Sequence, residues 1–142
     1  MKSYNGEYLN RVELEALGVS CSGKNVAVHR SCVIINPENL SFGDHVRVDA
    51  FCVLSATGRI QLGNCVHIGP HCSLMGGGGI TMKDFSGLSH GARIFSAIDD
   101  VSGRAPVGPM VPREFRVINA APVEINSHCM IGTGSVVFPG VT

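Results

Sequence analysis

Residues 62–94 read LGNCVHIGPHCSLMGGGGITMKDFSGLSHGARI, and an aliphatic or methionine side chain returns at every sixth place: Leu62, Ile68 and Leu74, then Met82, Leu88 and Ile94. A compact residue stands four places after most of them, at Val66, Cys72, Ser86 and Ala92. The phase extends back through Phe42, Val48 and Leu54 and forward through Ile125, Ile131 and Val137. The triplets 42/48/54, 62/68/74 and 82/88/94 are offset by twenty residues, and an internal repeat outranks local propensity in deciding a fold. A helix repeats every ~3.6 residues and a strand every two, so a period of six suits a chain that runs a short strand, turns a corner and repeats. Three such strands close a triangular coil, and stacked coils bury their aliphatic columns against one another. Three hexads fill eighteen of the twenty residues; the other two are a corner insertion, as at Thr57-Gly58 and within Gly76 to Gly79. Cys32, Cys52 and Cys72 fall in one column, continued by Ala92 and Ser135, all narrow enough for a tight interior.

The length of 142 residues fits one domain. Eleven basic and eleven acidic residues cancel, which implies neither a nucleic-acid nor a membrane-surface partner. No apolar run approaches a transmembrane span and no signal peptide is present. With the polar start MKSYNGEYLN, the reading is a cytoplasmic protein. Six cysteines include no CxxC pair, and three lie in the core column. Buried reduced thiols therefore fit better than a disulfide framework.

Residues 1–21 lie outside the repeat and read as a helical cap. Asn10 and Glu13 have capping-box spacing, Leu9 and Leu14 form a hydrophobic staple, Leu14 and Leu17 face the core, and Gly18 ends the helix. The segment reads as a lid over the open first coil. The repeat occupies residues 22–142. Its first coil is imperfect: Val28 and Ile34 hold the phase, but Ser22 stands where Phe42 stands later, and Asn36-Pro37-Glu38-Asn39 is a turn. The four glycines 76–79 read as a corner needing positive φ, with close approach of a ligand to bare backbone as the alternative. The period breaks after Ile94 and returns at Val123 and Ile125, so residues 95–122 leave the coil as one excursion. It is stiffened by Pro106, Pro109, Pro112 and Pro122 and carries Arg104, Arg113 and Arg116, with Asp99 and Asp100 at its start. Loops of this length inside compact domains are usually functional or disordered. The last coil stops inside a hexad at Pro139–Thr142, which reads as truncated, with a further coil or another chain covering its edge.

The units LGNCVH, IGPHCS, INSHCM and IGTGSV resemble those of the hexapeptide-repeat acyltransferases, over nearly all of residues 22–142. The resemblance implies an all-β left-handed parallel β-helix with a short N-terminal helix and one long excursion, assembled as a homotrimer, with acetyl-CoA as acyl donor. The segment SHGARIFSAIDDVSG is similar to the carbohydrate branch, the galactoside and maltose acetyltransferases. It implies acetyl transfer to a sugar hydroxyl, or less readily an amino group. The acceptor would be a sugar, sugar nucleotide or lipid-linked sugar in surface-polysaccharide or O-antigen assembly. The excursion would reach a neighbouring subunit and help form its active site.

Such transfer needs a base for the acceptor proton, donors for the developing oxyanion, and alignment of the two substrates. The position of the base histidine in the galactoside branch falls here on Asp99. An ordinary Asp, with a pKa near ~3.9, is a weak base; burial beside Asp100 would raise it, as close carboxylates share a proton. Alternatively, Asp99 and Asp100 cap a turn or bind an arginine of the excursion. His90 sits at a corner comparable to the base of the sugar-nucleotide N-acetyltransferases, and His67 points outward to where a neighbour would pack; both stand beside Asp99 as catalytic candidates. Resemblance places His71 near the acceptor, with Asp100 and Arg113 as further substrate-binding candidates. The pantetheine arm would meet the backbone of Gly132, Thr133, Gly134 and Ser135. His29, His45 and His128 look ordinary. Acetyl transfer calls for no metal. Two other readings compete. One is a γ-carbonic-anhydrase-like enzyme with His67, His71 and His90 around zinc. The other is a non-catalytic β-helix, favoured by Asp99 at a histidine position and by the short last coil.

Overall fold

The hexad columns become three faces in a computed structural model, which describes residues 7–21 and 23–142. In the second coil the strands are Leu40–Phe42, Arg47–Val48 and Val53–Ser55. They define the first, second and third faces of a prism. Like strands stack in parallel, with Phe42 on Leu62, Val48 on Ile68 and Leu54 on Leu74. The same register carries Met82 onto Ile125, Leu88 onto Ile131 and Ile94 onto Val137. The chain is a parallel β-helix, nearly all β. Val48, Leu54, Ile68, Leu74 and Ile94 are wholly buried, and each such side chain contributes roughly 1.5–3 kcal/mol.

The cysteine column is buried at Cys52 and Cys72 and half-buried at Cys32. Each thiol donates to a carbonyl seventeen residues on, Cys32 to Asp49, Cys52 to Gly69 and Cys72 to Ser89, all at 3.1 Å. Cys32, Cys52, Cys65, Cys72 and Cys129 are free thiols. Ala92 and Ser135 continue the column, their carbonyls accepting from Ser73 N–H and Arg93 N–H in the same register, but Ser135 is exposed, because nothing among the described residues stacks on the last coil.

The corners explain several polar and aromatic residues. Between the first and second faces, Asn25, His45, Cys65, Phe85 and His128 all take positive φ, from 55° to 63°. Side-chain bonds tie these corners across coils: Lys24 N–H donates to Asp44, Asp44 N–H to Asn64, and Asn64 N–H to Asp84. Phe85 and His128 stack with centroids 5.1 Å apart. Between the second and third faces the left-handed residues are Phe51, His71, Gly91 and Gly134. The glycine run 76–79 differs from its sequence reading, since only Gly79 has positive φ, at 93°. A Cβ on Gly78 would lie 2.2 Å from the Ser96 carbonyl oxygen, and one on Gly77 2.8 Å from Ala97 Cβ. The bare backbone is filled by the next corner of the chain itself.

The N-terminal segment pairs Tyr8–Leu9 antiparallel with the second face at Val28 and His29. Helix Arg11–Ala16 follows, with the capping box formed by Asn10 and Glu13. Gly18, at φ 97°, closes it: Gly18 N–H donates to Glu15 and Val19 N–H to Leu14, a Schellman arrangement. Leu14 is buried, but Leu17 is half exposed. As the C-cap residue, Leu17 lies where the turn swings away from the core. Ser22 lies outside the described residues, and with it the comparison to Phe42.

The excursion is not an irregular loop. Coil phase holds through Phe95 and the buried Ser96, whose N–H and hydroxyl both donate to the Met75 carbonyl. Ala97–Asp99 then pairs antiparallel with Ile118–Ala120. These two strands form a short ribbon anchored at the corner between the third and first faces, and residues 100–117 between them are turns with one 3-10 helix, Arg113–Phe115.

Candidate active site

The ribbon strand Ala97–Asp99 carries Asp99 at its end, and the returning strand follows Arg116. Arg116 donates to Asp99 Oδ1 from Nε at 2.9 Å and from Nη2 at 2.7 Å, while Gly108 N–H donates to Oδ2 at 2.9 Å. The Gly108 N–H and then the Arg116 guanidinium hold the Asp99 carboxyl below its ordinary value, and Arg113 adds to the positive field. Asp99 is thus ionised at neutral pH: of the two sequence readings, the bond to an arginine of the excursion holds and the raised pKa does not. Asp100 does not share its proton. It turns to the Ser102 hydroxyl and N–H, and these bonds lower it too. A carboxylate has about four acceptor sites, so three donors leave Asp99 one open site, on Oδ2. Asp99 and Arg116 help line a cleft of about 790 Å³ between ribbon and third face, walled by Met75, Phe95, Ile118 and Phe138.

A second polar group lies on the second face. The Asp49 carboxylate accepts from Tyr8 Oη at 3.0 Å, Arg47 Nε at 2.7 Å and His67 Nε2 at 2.7 Å. Burial opposes ionisation of Asp49, but the donors Arg47, His67 and Tyr8 outweigh it and hold its pKa down to about 2. His67 and Arg47 are half exposed beside a shallow hollow of about 280 Å³ that also takes in His45 and Cys65.

The remaining candidates follow the corner between the second and third faces. His71, at φ 60°, stacks on Phe51 with centroids 5.1 Å apart. His90 is exposed, and its carbonyl accepts from Gly134 N–H at 3.0 Å. Gly132, Thr133, Gly134 and Ser135 are exposed on the next coil. The structure thus brings His71, His90 and residues 132–135 onto one edge, with His67 on the adjoining face. It sets Asp99, Asp100 and Arg113 on the ribbon. Among the described residues, no hydrogen bond or ion pair joins the two groups. Nor do three His, Cys, Asp or Glu side chains gather as metal ligands, and His67 and His71 are engaged with different partners. No described helix is long and apolar enough to cross a membrane.

Ser89 went unnoticed in the sequence. It is the last position on the second face before the His90 corner, in the outward column of Asp49 and Gly69, and its hydroxyl takes up no hydrogen bond among the described residues. Its N–H is held by the Ile131 carbonyl and its own carbonyl by Cys72.

No family model matches the chain. It is 35% identical over 135 residues to the dTDP-4-amino-4,6-dideoxy-D-glucose acyltransferase of Escherichia coli, covering 94% of this chain and 70% of that protein. It also superposes on AntD, an N-acyltransferase from Bacillus cereus. The AntD complex with dTDP and 3-hydroxybutyryl-CoA matches with a TM-score of 0.89 and 36% identity, over 95% of this chain and 71% of that one. An AntD variant in complex with dTDP-4-amino-4,6-dideoxyglucose and coenzyme A matches at 0.90 and 35%, over 96% and 72%. Other AntD structures carry substitutions at one serine and at an aspartate ten residues further on. Ser89 and Asp99 are the one Ser–Asp pair of this chain with that spacing.

Proposed function

The chain belongs to the dTDP-4-amino-sugar N-acyltransferase family, and on that premise we propose that it acylates the amino group of a dTDP-linked 4-amino-4,6-dideoxyhexose from an acyl-CoA thioester. The observation that carries this reading is the ionised Asp99 carboxylate, with one acceptor site open, at the wall of an apolar cleft. An amine suits such a group better than a hydroxyl. A hydroxyl gives up its proton only to a strong base, and a carboxylate of lowered pKa is a poor one. An amine attacks with its own lone pair, and positive charge grows on nitrogen as it does so. A fixed anion beside that nitrogen stabilises the charge and orients the lone pair. The N–C bond forms, the C–S bond breaks, the thiolate leaves as coenzyme A, and the surplus amine proton passes by way of Asp99 to thiolate or solvent. The O-acyl preference drawn from the galactoside resemblance gives way to N-acyl.

Ser89, by its spacing to Asp99 and its unused hydroxyl, is assigned to the thioester carbonyl as a donor. His90 and the backbone of Gly132 to Ser135 line the same edge and are assigned to the pantetheine arm. Arg113 and Asp100 shape the ribbon around the acceptor, and His71 holds the corner below. Because this edge and the ribbon belong to different corners of the prism, we assign the complete site to a homotrimer in which the ribbon of one subunit meets the edge of the next. The exposed Val101, Met110 and Phe115 of the ribbon support that contact. Acetyl-CoA is the donor inferred from the resemblance, and 3-hydroxybutyryl-CoA is the competitor the Bacillus complex raises. An N-acylated nucleotide sugar is the activated form that a glycosyltransferase consumes, which supports the place in surface-polysaccharide assembly.

The test is thiol release with dTDP-4-amino-4,6-dideoxyglucose and either donor, with the product weighed by mass spectrometry. One acyl group per sugar, on nitrogen, is expected, and Asp99→Asn lowers kcat by roughly a hundredfold or more. No transfer from either donor, in protein shown to be folded, overturns the assignment and leaves the non-catalytic β-helix.

A further inference from the structure

We propose that Arg47 and His67, both held by Asp49, form the site for the diphosphate of the sugar nucleotide; this rests on the acceptor assigned above. Asp49 is the fixed element. Its side chain is only 13% exposed and takes three donors, from Tyr8, Arg47 and His67. It grips Arg47 through Nε and His67 through Nε2. The guanidinium remains half exposed, and the imidazole keeps Nδ1 without a protein partner among the described residues. A pre-oriented guanidinium with donors to spare is the group best matched to phosphate oxygens. Both side chains border the hollow of about 280 Å³ with His45 and Cys65. One carboxylate against Arg47 leaves the cluster neutral with His67 unprotonated and positive with it protonated.

Position along the prism identifies which phosphate. Asp49, Gly69 and Ser89 occupy one outward column of successive coils, in the parallel register that joins Arg47 to His67 and His67 to Gly87. Neighbouring strands lie about 4.8 Å apart, so Asp49 stands about 10 Å from Ser89 along the axis. A hexose spans that order of distance from its C4 nitrogen to the phosphates on its anomeric carbon. Gly69, the column position between them, is buried, with the Leu88 carbonyl 2.9 Å from where a Cβ would stand, and Gly87 beside His67 is covered by Met130. With acyl transfer at Ser89, the sugar spans the outer surface from Ser89 toward Asp49, and its diphosphate reaches Arg47 and His67.

The groups that face His67 are Asp49 and Arg47 on the adjacent strand, Tyr8 beyond them, and His45 and Cys65 at the corner; Gly87 and Met130 on the other side bring no charge.

Calorimetric titrations of the full chain with dTDP, coenzyme A and inorganic pyrophosphate test the assignment. Arg47→Met is expected to weaken dTDP and pyrophosphate roughly tenfold or more and to leave coenzyme A unchanged. His67→Gln, which keeps a donor for Asp49, is expected to weaken dTDP and pyrophosphate by less than Arg47→Met does and to leave coenzyme A unchanged. Unchanged dTDP binding in both variants, with thermal melts showing them folded, overturns the site. Loss of coenzyme A binding alone assigns the cluster to that molecule's phosphates and overturns the sugar-nucleotide assignment. If the parent binds neither dTDP nor coenzyme A, the enzymatic reading above fails; pyrophosphate binding that Arg47→Met abolishes would then uphold the anion site by itself.

Discussion

The coil from Leu62 to Ile94 and the ribbon from Ala97 to Ala120 are consecutive in the chain and opposite in construction. In the coil every aliphatic hexad position is buried to within a few per cent, and each strand has a neighbour above and below in parallel register. In the ribbon one antiparallel pairing and the Asp99–Arg116 ion pair hold the neck, while Val101 is 81% and Met110 93% exposed. The coil satisfies its apolar surface against copies of itself; the ribbon holds apolar surface that nothing among the described residues covers. The rigid part therefore supplies a frame, and the part that must meet a substrate or a second subunit is the one with little internal support.

Cutting into each region should separate them. Leu74→Ala opens a cavity in the middle of the stack, where Leu54 and Ile94 lie directly above and below. It is expected to cost about 3–5 kcal/mol, read as a fall in the urea midpoint. Val107→Ala, in the ribbon, should change stability by less than about 0.5 kcal/mol. Equal losses at the two positions would mean that the ribbon is part of the cooperative core.

The sequence disclosed the two regions unequally, for a physical reason. A stacked coil repeats one environment, so the twenty-residue recurrence of Leu54, Leu74 and Ile94 is itself the packing. Helix capping at Asn10 and Glu13 was legible because the motif is local. The ribbon has no recurrence. Asp99 and Arg116 are seventeen residues apart with nothing in composition to pair them, and Ala97–Asp99 is too short to show alternation. Hence the sequence left Asp99 between a raised pKa beside Asp100 and a bond to some arginine of the excursion, and only the fold shows that the partners are Gly108 N–H and Arg116. Gly78 looked like a turn glycine because the reason for it, the Ser96 carbonyl of the next corner, lies eighteen residues away. The Asp49–His67 bond was within reach: the twenty-residue register puts His67 beside Arg47 and one diagonal from Asp49. Ser89 gave no signal, because small polar residues are ordinary at corners.

On the outer surface of the coil, Asp49 should behave as a structural carboxylate as well as a binding one. Its pKa is held near 2 in the folded state against an ordinary 3.8. A lowered folded pKa adds stability above the unfolded value and loses it as pH falls through the folded one. The contribution is about 2 kcal/mol, present above about pH 4 and lost between about pH 4 and 2. Asp49→Asn should therefore lower neutral-pH stability by a similar amount and flatten this part of the acid limb, measured by denaturant titration at each pH. An unchanged acid limb would show that the three donors do not hold Asp49 in solution.

The smallest expected effect concerns the neck of the ribbon. Arg116 and Asp99 are each only 17% exposed in their side chains, and the guanidinium meets the single oxygen Oδ1 through both Nε and Nη2. Arg116→Met removes both guanidinium donors and leaves Asp99 with Gly108 N–H. The coil makes no use of this pair, so the global melting temperature should move little. Local opening of the ribbon should rise a few-fold, since the pair closes the neck and nothing in the coil. Limited proteolysis reads that population directly: trypsin has Arg104 and Arg113 as exposed sites within the ribbon, and both should be cut faster in the variant. Cleavage at an unchanged rate would mean that pairing of Ala97–Asp99 with Ile118–Ala120 holds the ribbon by itself, and that Arg116 serves to keep Asp99 ionised and aimed at the cleft.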